Sequence, residues 1–297
     1  MSPNTASRPA AKRGPRNWEP VLRNLPGNIV IFGVLALGII TMLLPFVWML
    51  SASFKVEEKI LLYPPTLWPD PWTLENYRYV FVDLGFMRFV MNSFIVAFFT
   101  ISGHVISGSL VAFGFARMRF PGRNVLFFLV LSTMMIPFQA YMIPRFLIMR
   151  WLGLLDTLAA VFLPYLFGGA FYIFLMRQHF MSIPFELDDA ARIDGCNSFQ
   201  IYWRIAMPLA KPIVVTVAVL EFLSAWTSFL EPLIYLNTQD KYTVSLGLSL
   251  LRSGFSGRIA WGPMMTATAL SALPPLIVFL VAQKQLIGGI AVTGIKG

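Results

Sequence analysis

The sequence predicts an all-α membrane protein with six transmembrane helices. Five runs of about twenty or more residues contain no Asp, Glu, Lys or Arg, and a helix needs roughly 20 apolar residues to cross a bilayer. Hydrophobic residues make up 57% of the 297 residues and charged residues only 12%, against about 25% in a soluble domain. This composition argues against an ordinary soluble enzyme.

The six predicted spans differ in how clearly the sequence defines them. The five charge-free runs are residues 29–50, 89–116, 124–144, 157–176 and 259–283. A sixth run, 212–236, contains Glu221 and Glu231. Because a charge inside a membrane is costly, each carboxylate is a candidate functional group. Glu231 lies near the outer end of its run, where a snorkelling carboxylate is an equal alternative, whereas Glu221 is expected to face protein or a water-filled cavity.

The distribution of Lys and Arg predicts the orientation. The N-terminal tail, the second loop, the segment after the fourth run and the C-terminal tail are all rich in bases, and six spans place them on one side. That side is expected to be the cytoplasm. On the opposite side acidic residues nearly balance the bases. The net charge of +9 therefore indicates membrane orientation, and no nucleic-acid partner is expected.

The domain organisation follows from these runs. We expect a disordered cytoplasmic tail at 1–25, a first, uncleaved transmembrane helix at 26–50 and an outside loop at 51–88. A core of five helices would occupy 89–285, including a cytoplasmic loop at 177–211, and a cytoplasmic tail would follow at 286–297.

Enzymatic motifs are absent from the sequence. It contains no G-x-x-x-x-G-K-[ST] phosphate loop, no H-E-x-x-H and no G-x-S-x-G. The single cysteine, Cys196, and two distant histidines do not support a metal site. We therefore expect no catalytic residue, no metal and no cofactor in this chain.

The loop from Ser182 to Pro212 carries the most specific local pattern. Ser182 and Pro184 favour a helix start, and Gly195 is placed to end that helix in the left-handed conformation. Asn197 or Ser198 can cap a second helix, which Pro208 would end. The pattern alone predicts two helices packed beneath the bundle, with small side chains that permit close approach by another protein.

This loop resembles the EAA motif of ABC-importer permeases, E-A-A-x3-G-x9-I-x-L-P. Here the motif reads Asp189-Ala190-Ala191, then Gly195, then Ile205-Ala206-Met207-Pro208, with Asp for Glu and Met for Leu. Further stretches resemble carbohydrate permeases in the same order along the chain. They are Met135-Ile136-Pro137 with Gln139, then Trp226, Phe229 and Pro232-Leu233-Ile234, then Tyr242-Thr243-Val244, and the ending Gly294-Ile295-Lys296-Gly297.

The resemblance implies a type I ABC importer of the carbohydrate-uptake class, in a bacterial or archaeal cytoplasmic membrane. The implied partners are a second homologous permease, two ATPase subunits that bind ATP and Mg, an outside solute-binding protein and a sugar. The coupling residues would be Glu186, Asp189, Ala190, Ala191, Asp194, Gly195, Ile205 and Pro208, and Lys296 and Gly297 would contact the ATPases. Candidates for the substrate path are Asn92, Gln139, Trp226, Thr227, Ser228 and Glu231. For each of these six, hydrogen bonding between helices is the structural alternative.

Other functions stay open from the sequence. The substrate could be glycerol phosphate or another polyol instead of a di- or oligosaccharide. An ion-coupled secondary transporter could use Glu221 and Glu231, although no inverted repeat is evident. A membrane scaffold subunit without a transport path is a third alternative. The spacing of the EAA-like motif disfavours the last two.

Overall fold

The computed structural model describes the backbone of residues 25–253 and 259–294, and within this part every regular element is helical. The predicted tail at 1–25, apart from Leu25, and the tail residues Lys296 and Gly297 lie outside the described residues. The α-helices are Leu25–Ser53, Glu57–Ile60, Glu75–Arg78, Phe86–Arg117, Arg123–Ser132, Phe138–Trp151, Leu158–Phe162, Ala170–Ser182, Glu186–Ile193, Ser198–Ile201, Met207–Leu209, Lys211–Thr227, Leu230–Tyr235, Val244–Ser253 and Trp261–Gly294. Short 3-10 or π-helical turns join several of them, at Tyr79–Asp83, Thr133–Met135, Leu163–Phe167, Tyr202–Ala206 and Gln239–Lys241.

Four helices of the described chain are long and apolar enough to cross a membrane. They are Val30–Ser53, Phe86–Arg117, Leu158–Ser182 and Trp261–Gln283. Two bent pairs raise the number to six if each pair counts as one span: Arg123–Met135 with Phe138–Trp151, and Ser198–Leu209 with Lys211–Thr227. The all-α, multi-spanning architecture predicted from the sequence agrees with this arrangement.

The third predicted span, 124–144, is not one continuous helix. Its two halves meet at an angle of 99°. The cause is local, because Pro137 has no N–H for a helical hydrogen bond and Ile136, which precedes it, is extended (φ −85°, ψ 112°). Three other prolines of the long helices, Pro45, Pro274 and Pro275, lie inside uninterrupted helices.

The fifth predicted span along the chain, 212–236, is also interrupted. Helix Lys211–Thr227 ends at Ser228, which is extended (φ −60°, ψ 124°), and Leu230–Tyr235 follows as a separate short helix. The predicted range therefore covers two helices of unequal length. Glu221 lies on the longer helix and Glu231 in the first turn of the shorter one.

The chain divides into two units, 1–48 and 49–297. The described part of the first unit is the apolar helical segment 25–48. In the second unit the helix Phe86–Arg117 is central and packs against Ala170–Ser182 and Lys211–Thr227. Its core includes one cluster beside the 182–212 loop and another formed with Val244–Ser253 and Trp261–Gly294. The central helix contributes side chains to both clusters.

The segment 51–88, predicted as an outside loop, is an ordered part of the second unit. The Asn76 side chain donates hydrogen bonds to the carbonyls of Ser53 (3.0 Å) and Lys55 (2.8 Å). Glu57 accepts hydrogen bonds from the backbone amides of Trp261 (2.7 Å) and Gly262 (2.8 Å), at the start of the last helix. Burial lowers the pKa of the Lys55 ammonium group below its usual range. These contacts attach the segment to the start of the last long helix.

Candidate functional site

The first helix of the 182–212 loop has a defined end, as the sequence predicts. Helix Glu186–Ile193 is followed by Gly195 at φ +83°, a conformation that L side chains rarely adopt. The amide of Gly195 donates to the Arg192 carbonyl (3.0 Å) and the amide of Cys196 donates to the Ala191 carbonyl (2.9 Å). This pair of bonds is the Schellman arrangement that commonly ends a helix at glycine. The left-handed conformation predicted for Gly195 is confirmed.

The second helix of the loop begins at the predicted cap and ends later than predicted. The Asn197 side chain accepts from the Gln200 amide (2.9 Å), and the Gln200 side chain accepts from the Asn197 amide (2.8 Å), which forms a capping box. Pro208 does not end this helix. It lies in the first turn of Met207–Leu209, where a missing N–H costs little, and the 75° bend comes around Ala210.

Buried polar contacts hold the loop against the end of the central helix. The Arg117 guanidinium donates to the Ile183 carbonyl (2.6 Å), lies 3.6 Å from the Asp188 carboxylate and stacks over the Phe185 ring at 4.3 Å. The Arg117 and Asp188 side chains are only 2% and 4% exposed. A second contact joins Tyr202 Oη to Ser109 Oγ at 2.7 Å. The loop is therefore positioned to move together with the central helix.

The exposed face of the loop is more apolar than the sequence analysis implied. Ala190 is exposed but Ala191 is buried, so only one of these two small side chains is accessible to another protein. Large apolar side chains are exposed instead, and we call them the apolar loop surface: Phe185, Leu187, Ile193, Phe199 and Trp203.

The predicted coupling residues are distributed around this surface. Those exposed to solvent are Glu186, Asp189, Ala190, Asp194, Gly195 and Pro208, whereas Ile205 is half-buried. The exposed acidic side chains carry no buried ion pair, and Asp189 lies 3.8 Å from the exposed Arg192. The coupling role of these residues stays a prediction.

The predicted substrate-path residues do not form one group. The side chains of Asn92 and Trp226 are buried and donate to backbone carbonyls, those of Asp240, Tyr242 and Ser271. Thr227 donates to the Leu223 carbonyl of its own helix (2.8 Å). Gln139 is exposed and Ser228 is half-buried. Asn92 and Trp226 match the alternative of hydrogen bonding between separate helical segments, whereas Thr227 bonds within its own helix. A path role for each residue stays a prediction.

Glu231 differs from the other five because it pairs with a cation. Its carboxylate accepts a hydrogen bond from Arg145 Nη1 (2.8 Å) and another from the Tyr165 hydroxyl. The Arg145 and Glu231 side chains are each 10% exposed, and the guanidinium stacks over the Tyr165 ring at 5.0 Å. The three side chains come from three separate helical segments and form a cross-link inside the bundle.

A second buried polar group surrounds Glu221. The His104 Nε2 atom lies 3.4 Å from the Glu221 carboxylate, and both side chains are at most 5% exposed. The side chains of Thr100 and Tyr172 also lie beside that carboxylate, and the His104 and Tyr172 rings are 4.5 Å apart. Glu221 faces protein and a cavity, as the sequence analysis expected.

A cavity of about 460 Å³ lies between these two groups, and we call it the polar cavity. Its lining residues are His104, Thr133, Met134, Tyr141, Arg145, Pro164, Tyr165, Gly168, Gly169, Ala170, Phe171, Tyr172, Glu221 and Ser224. Both halves of the bent third span contribute, because Thr133 and Met134 precede the break at Pro137 and Tyr141 and Arg145 follow it. The polar cavity therefore depends on that break.

Sequence reasoning missed most of this cavity. None of the six predicted path residues lines it, although Glu231 bonds Arg145 and Tyr165, which do. Arg145 directly follows the charge-free run 124–144, so hydropathy places it in the loop after the third span and gives no sign that it is buried. A signal did exist, since a carboxylate inside a span calls for a nearby cation or donor.

Comparison with known proteins identifies the family. Residues 104–291 match the model of the binding-protein-dependent transport system inner membrane component. The chain is 33% identical over 258 residues to the arabinooligosaccharides transport system permease protein AraQ of Bacillus subtilis, covering 86% of this chain and 91% of that protein. It is 33% identical over 267 residues to the lactose transport system permease protein LacG of Rhizobium radiobacter, covering 90% and 96%.

A solved structure shows the same fold. The chain matches a subunit of a bacterial ABC transporter involved in the import of the acidic polysaccharide alginate, with a TM-score of 0.77 and 26% identity. The match covers 93% of this chain and 99% of that one. With its helical fold, its EAA-like loop and these relatives, the chain belongs to the family of binding-protein-dependent transport system inner membrane components, the permease subunits of ABC importers.

Proposed function

We propose that this chain is one of two permease subunits in an ABC importer of uncharged di- or oligosaccharides. A second, homologous permease completes the translocation path, and a solute-binding protein delivers the sugar from outside. Two ATPase subunits bind ATP and Mg and hydrolyse the nucleotide. Both termini lie in the cytoplasm, and the tail with Lys296 and Gly297 contacts the ATPases.

The observation that carries this proposal is the construction of the 182–212 loop. Its first helix has a defined end at Gly195 and is held by the buried Arg117–Asp188 pair, while large apolar side chains remain exposed. Exposed apolar surface of this kind marks a protein or membrane interface, and we assign it to a protein because the loop also exposes Glu186, Asp189 and Asp194. An ATPase that covers the apolar loop surface would transmit its own closure through Arg117 to the central helix.

The charge of the polar cavity supports an uncharged substrate. The carboxylate that lines the cavity is Glu221, and the guanidinium that lines it, Arg145, is already paired with Glu231. An anionic ligand would therefore meet the Glu221 carboxylate without an unpaired cation to offset it. The relatives include sn-glycerol-3-phosphate permeases, one of them 31% identical and from Brucella melitensis. Glycerol phosphate is the second candidate, and this charge balance disfavours it.

The test is purification and reconstitution of the complex. The tagged chain is co-expressed with its genomic neighbours, and we expect it to retain a second permease and two ATPase copies. In liposomes with the binding protein, we expect ATP-dependent uptake of lactose, diacetylchitobiose or arabinotriose, but not of alginate oligosaccharide or glycerol 3-phosphate. If uptake did not require ATP and were abolished by ionophores, the result would support the alternative of a secondary transporter.

A further inference from the structure

We infer that the polar cavity is a sugar-binding site that this chain itself provides, with His104 and Arg145 bonding sugar hydroxyls and Tyr172 stacking against a sugar ring. This inference rests on the proposed transport function. It adds that this chain contacts the sugar directly, in addition to any contacts that the partner permease makes.

Buried polar atoms of the cavity walls lack hydrogen-bond partners within the described part of the chain. Both ring nitrogens of His104 are in this state, although Nε2 lies 3.4 Å from Glu221 without bonding to it. The same holds for Nε and Nη2 of Arg145, whose Nη1 is occupied by Glu231. Buried polar side-chain atoms nearly always have a partner, and each exception calls for an explanation. Arg117 has two such nitrogens as well, but among the described residues with unbonded atoms only His104 and Arg145 line the polar cavity. Their unbonded atoms have almost no accessible surface, so a ligand in the cavity would supply the missing partners after the two side chains turn toward it.

The mixture of donors, acceptors and aromatic rings selects the class of ligand. The free Arg145 nitrogens can only donate, whereas the Glu221 carboxylate and a neutral imidazole nitrogen can accept. Sugar hydroxyls do both. Tyr165 and Tyr172 present rings to the same cavity, and an aromatic face packs against the apolar C–H face of a sugar ring. An anion would meet Glu221 and a cation would meet Arg145, so an uncharged polyhydroxyl ligand fits best.

The backbone beside His104 is shaped to admit its ring. The helix interruption at Gly168 and Gly169 lies against the central helix, and a Cβ on Gly169 would come within 2.8 Å of His104 Cε1. Side chains essentially never pack that closely, so any other residue at 169 would displace the imidazole. The volume of about 460 Å³ lies within the range of small-molecule sites, about 300–1,000 Å³.

The first test measures sugar transported per ATP hydrolysed in the reconstituted complex. The probe is whichever of lactose, diacetylchitobiose and arabinotriose the wild type transports fastest. Tyr172→Leu is expected to lower the ratio about two- to tenfold, the value of one aromatic contact, and Tyr172→Phe to lower it less. His104→Leu is expected to lower it about two- to tenfold without loss of thermal stability, because an unbonded polar group is exchanged for an apolar one. Phe98→Leu, an exposed ring outside the polar cavity, is the matched control.

The second test detects contact directly. In a Cys196→Ser background, Tyr172→Cys places a thiol in the cavity wall and Ile148→Cys places one on an exposed helix surface. Sugar at ten times its dissociation constant should slow N-ethylmaleimide labelling at position 172 about tenfold by mass action and leave position 148 unchanged. Equal labelling at 172 with and without sugar, in a complex that transports it, overturns the inference. A wild-type complex that transports no sugar with ATP overturns the proposed function instead.

Discussion

The 182–212 loop and the polar cavity are built from partners at different separations along the chain. In the loop, the helix end and the cap use partners three to five residues apart, through Gly195, Cys196 and Asn197. In the cavity, partners are 66 and 86 residues apart in sequence. Buried nitrogens without a hydrogen-bond partner occur beside both, at Arg117 under the loop and at His104 and Arg145 in the cavity. The comparison teaches that the turn geometry of the loop is set by neighbouring residues, whereas the cavity is assembled by packing between distant segments. The variants below test this distinction.

The largest effect is expected from Gly195→Val. A β-branched residue strongly disfavours the φ of +83° at this position, so the helix end and the apolar loop surface would be displaced. Uptake should fall by at least about tenfold, as backbone strain of about 1–3 kcal/mol moves the docking helix. The measurements are the number of ATPase copies in the purified complex and uptake in vesicles.

The control for this variant is Gly33→Val, at a helical glycine with open space around it. It should leave both measurements unchanged. Full ATPase retention and normal uptake in Gly195→Val would mean that Gly195 is a passive turn and that the docking surface lies elsewhere.

The next effect concerns the buried ion pair beneath the loop. Removing one partner by Asp188→Ala leaves the Arg117 charge buried and should destabilise the second unit by about 3–5 kcal/mol. Asp189→Ala removes the exposed partner of Arg192 and should cost about 0–1 kcal/mol. Thermal denaturation of the purified complex compares the two. Equal melting temperatures would contradict the anchoring role given to Arg117.

A smaller effect is expected from the cavity pair. Glu231→Gln keeps the size of the side chain but removes its charge, so Arg145 loses its ion pair. The hydrogen bond to a charged group contributes about 1.5–3 kcal/mol, and uptake should fall about tenfold or more while the complex stays assembled. Thr227→Ala, at a predicted path residue bonded to its own helix, should leave uptake unchanged.

The opposite result for uptake by the two variants would exchange the roles assigned to Glu231 and Thr227. If Thr227→Ala impaired uptake and Glu231→Gln did not, the path would follow the residues first predicted from the sequence. The Arg145–Glu231 pair would then be a structural cross-link alone.

The smallest effect is expected at a half-buried ion pair, Asp156 with Lys241, that does not line the polar cavity. Hydrogen bonds from Lys241, Thr238 and the Asn237 amide hold the pKa of Asp156 well below its ordinary value. A pKa lowered on folding adds stability above the unfolded value of about 3.9, and this stability is lost as the pH falls through the folded value. Asp156→Asn should therefore lower the melting temperature by some amount at pH 7. The same decrease is expected at pH 5, because the folded carboxyl is ionised at both pH values. A difference that vanishes between these pH values would contradict the lowered pKa.

Features that depend on neighbouring residues could be predicted from the sequence, whereas features that depend on packing between distant segments could not. The position of the helix end at Gly195 and the cap at Asn197 depend on neighbours in the chain, and both are confirmed. The break at Pro137 also has a local signal, because a proline inside an apolar run lacks the N–H of a helical hydrogen bond. The side of the helix that Ala191 faces, and the partner of Glu231, depend on packing between distant segments. Hydrophobic windows contain no information about such packing.

The separation of Arg145 and Glu231 has a consequence for synthesis of the protein in the membrane. An arginine near the centre of a helix costs about 2.5–3.5 kcal/mol on insertion scales, and the halves of the bent third span are each shorter than the roughly 20 residues needed to span a bilayer. The partner carboxylate is 86 residues downstream, which at about 5–20 residues per second takes about 4–17 s to translate. During that interval Arg145 is without its counter-ion, so the third span is expected to reach its final depth only after the ribosome has delivered Glu231.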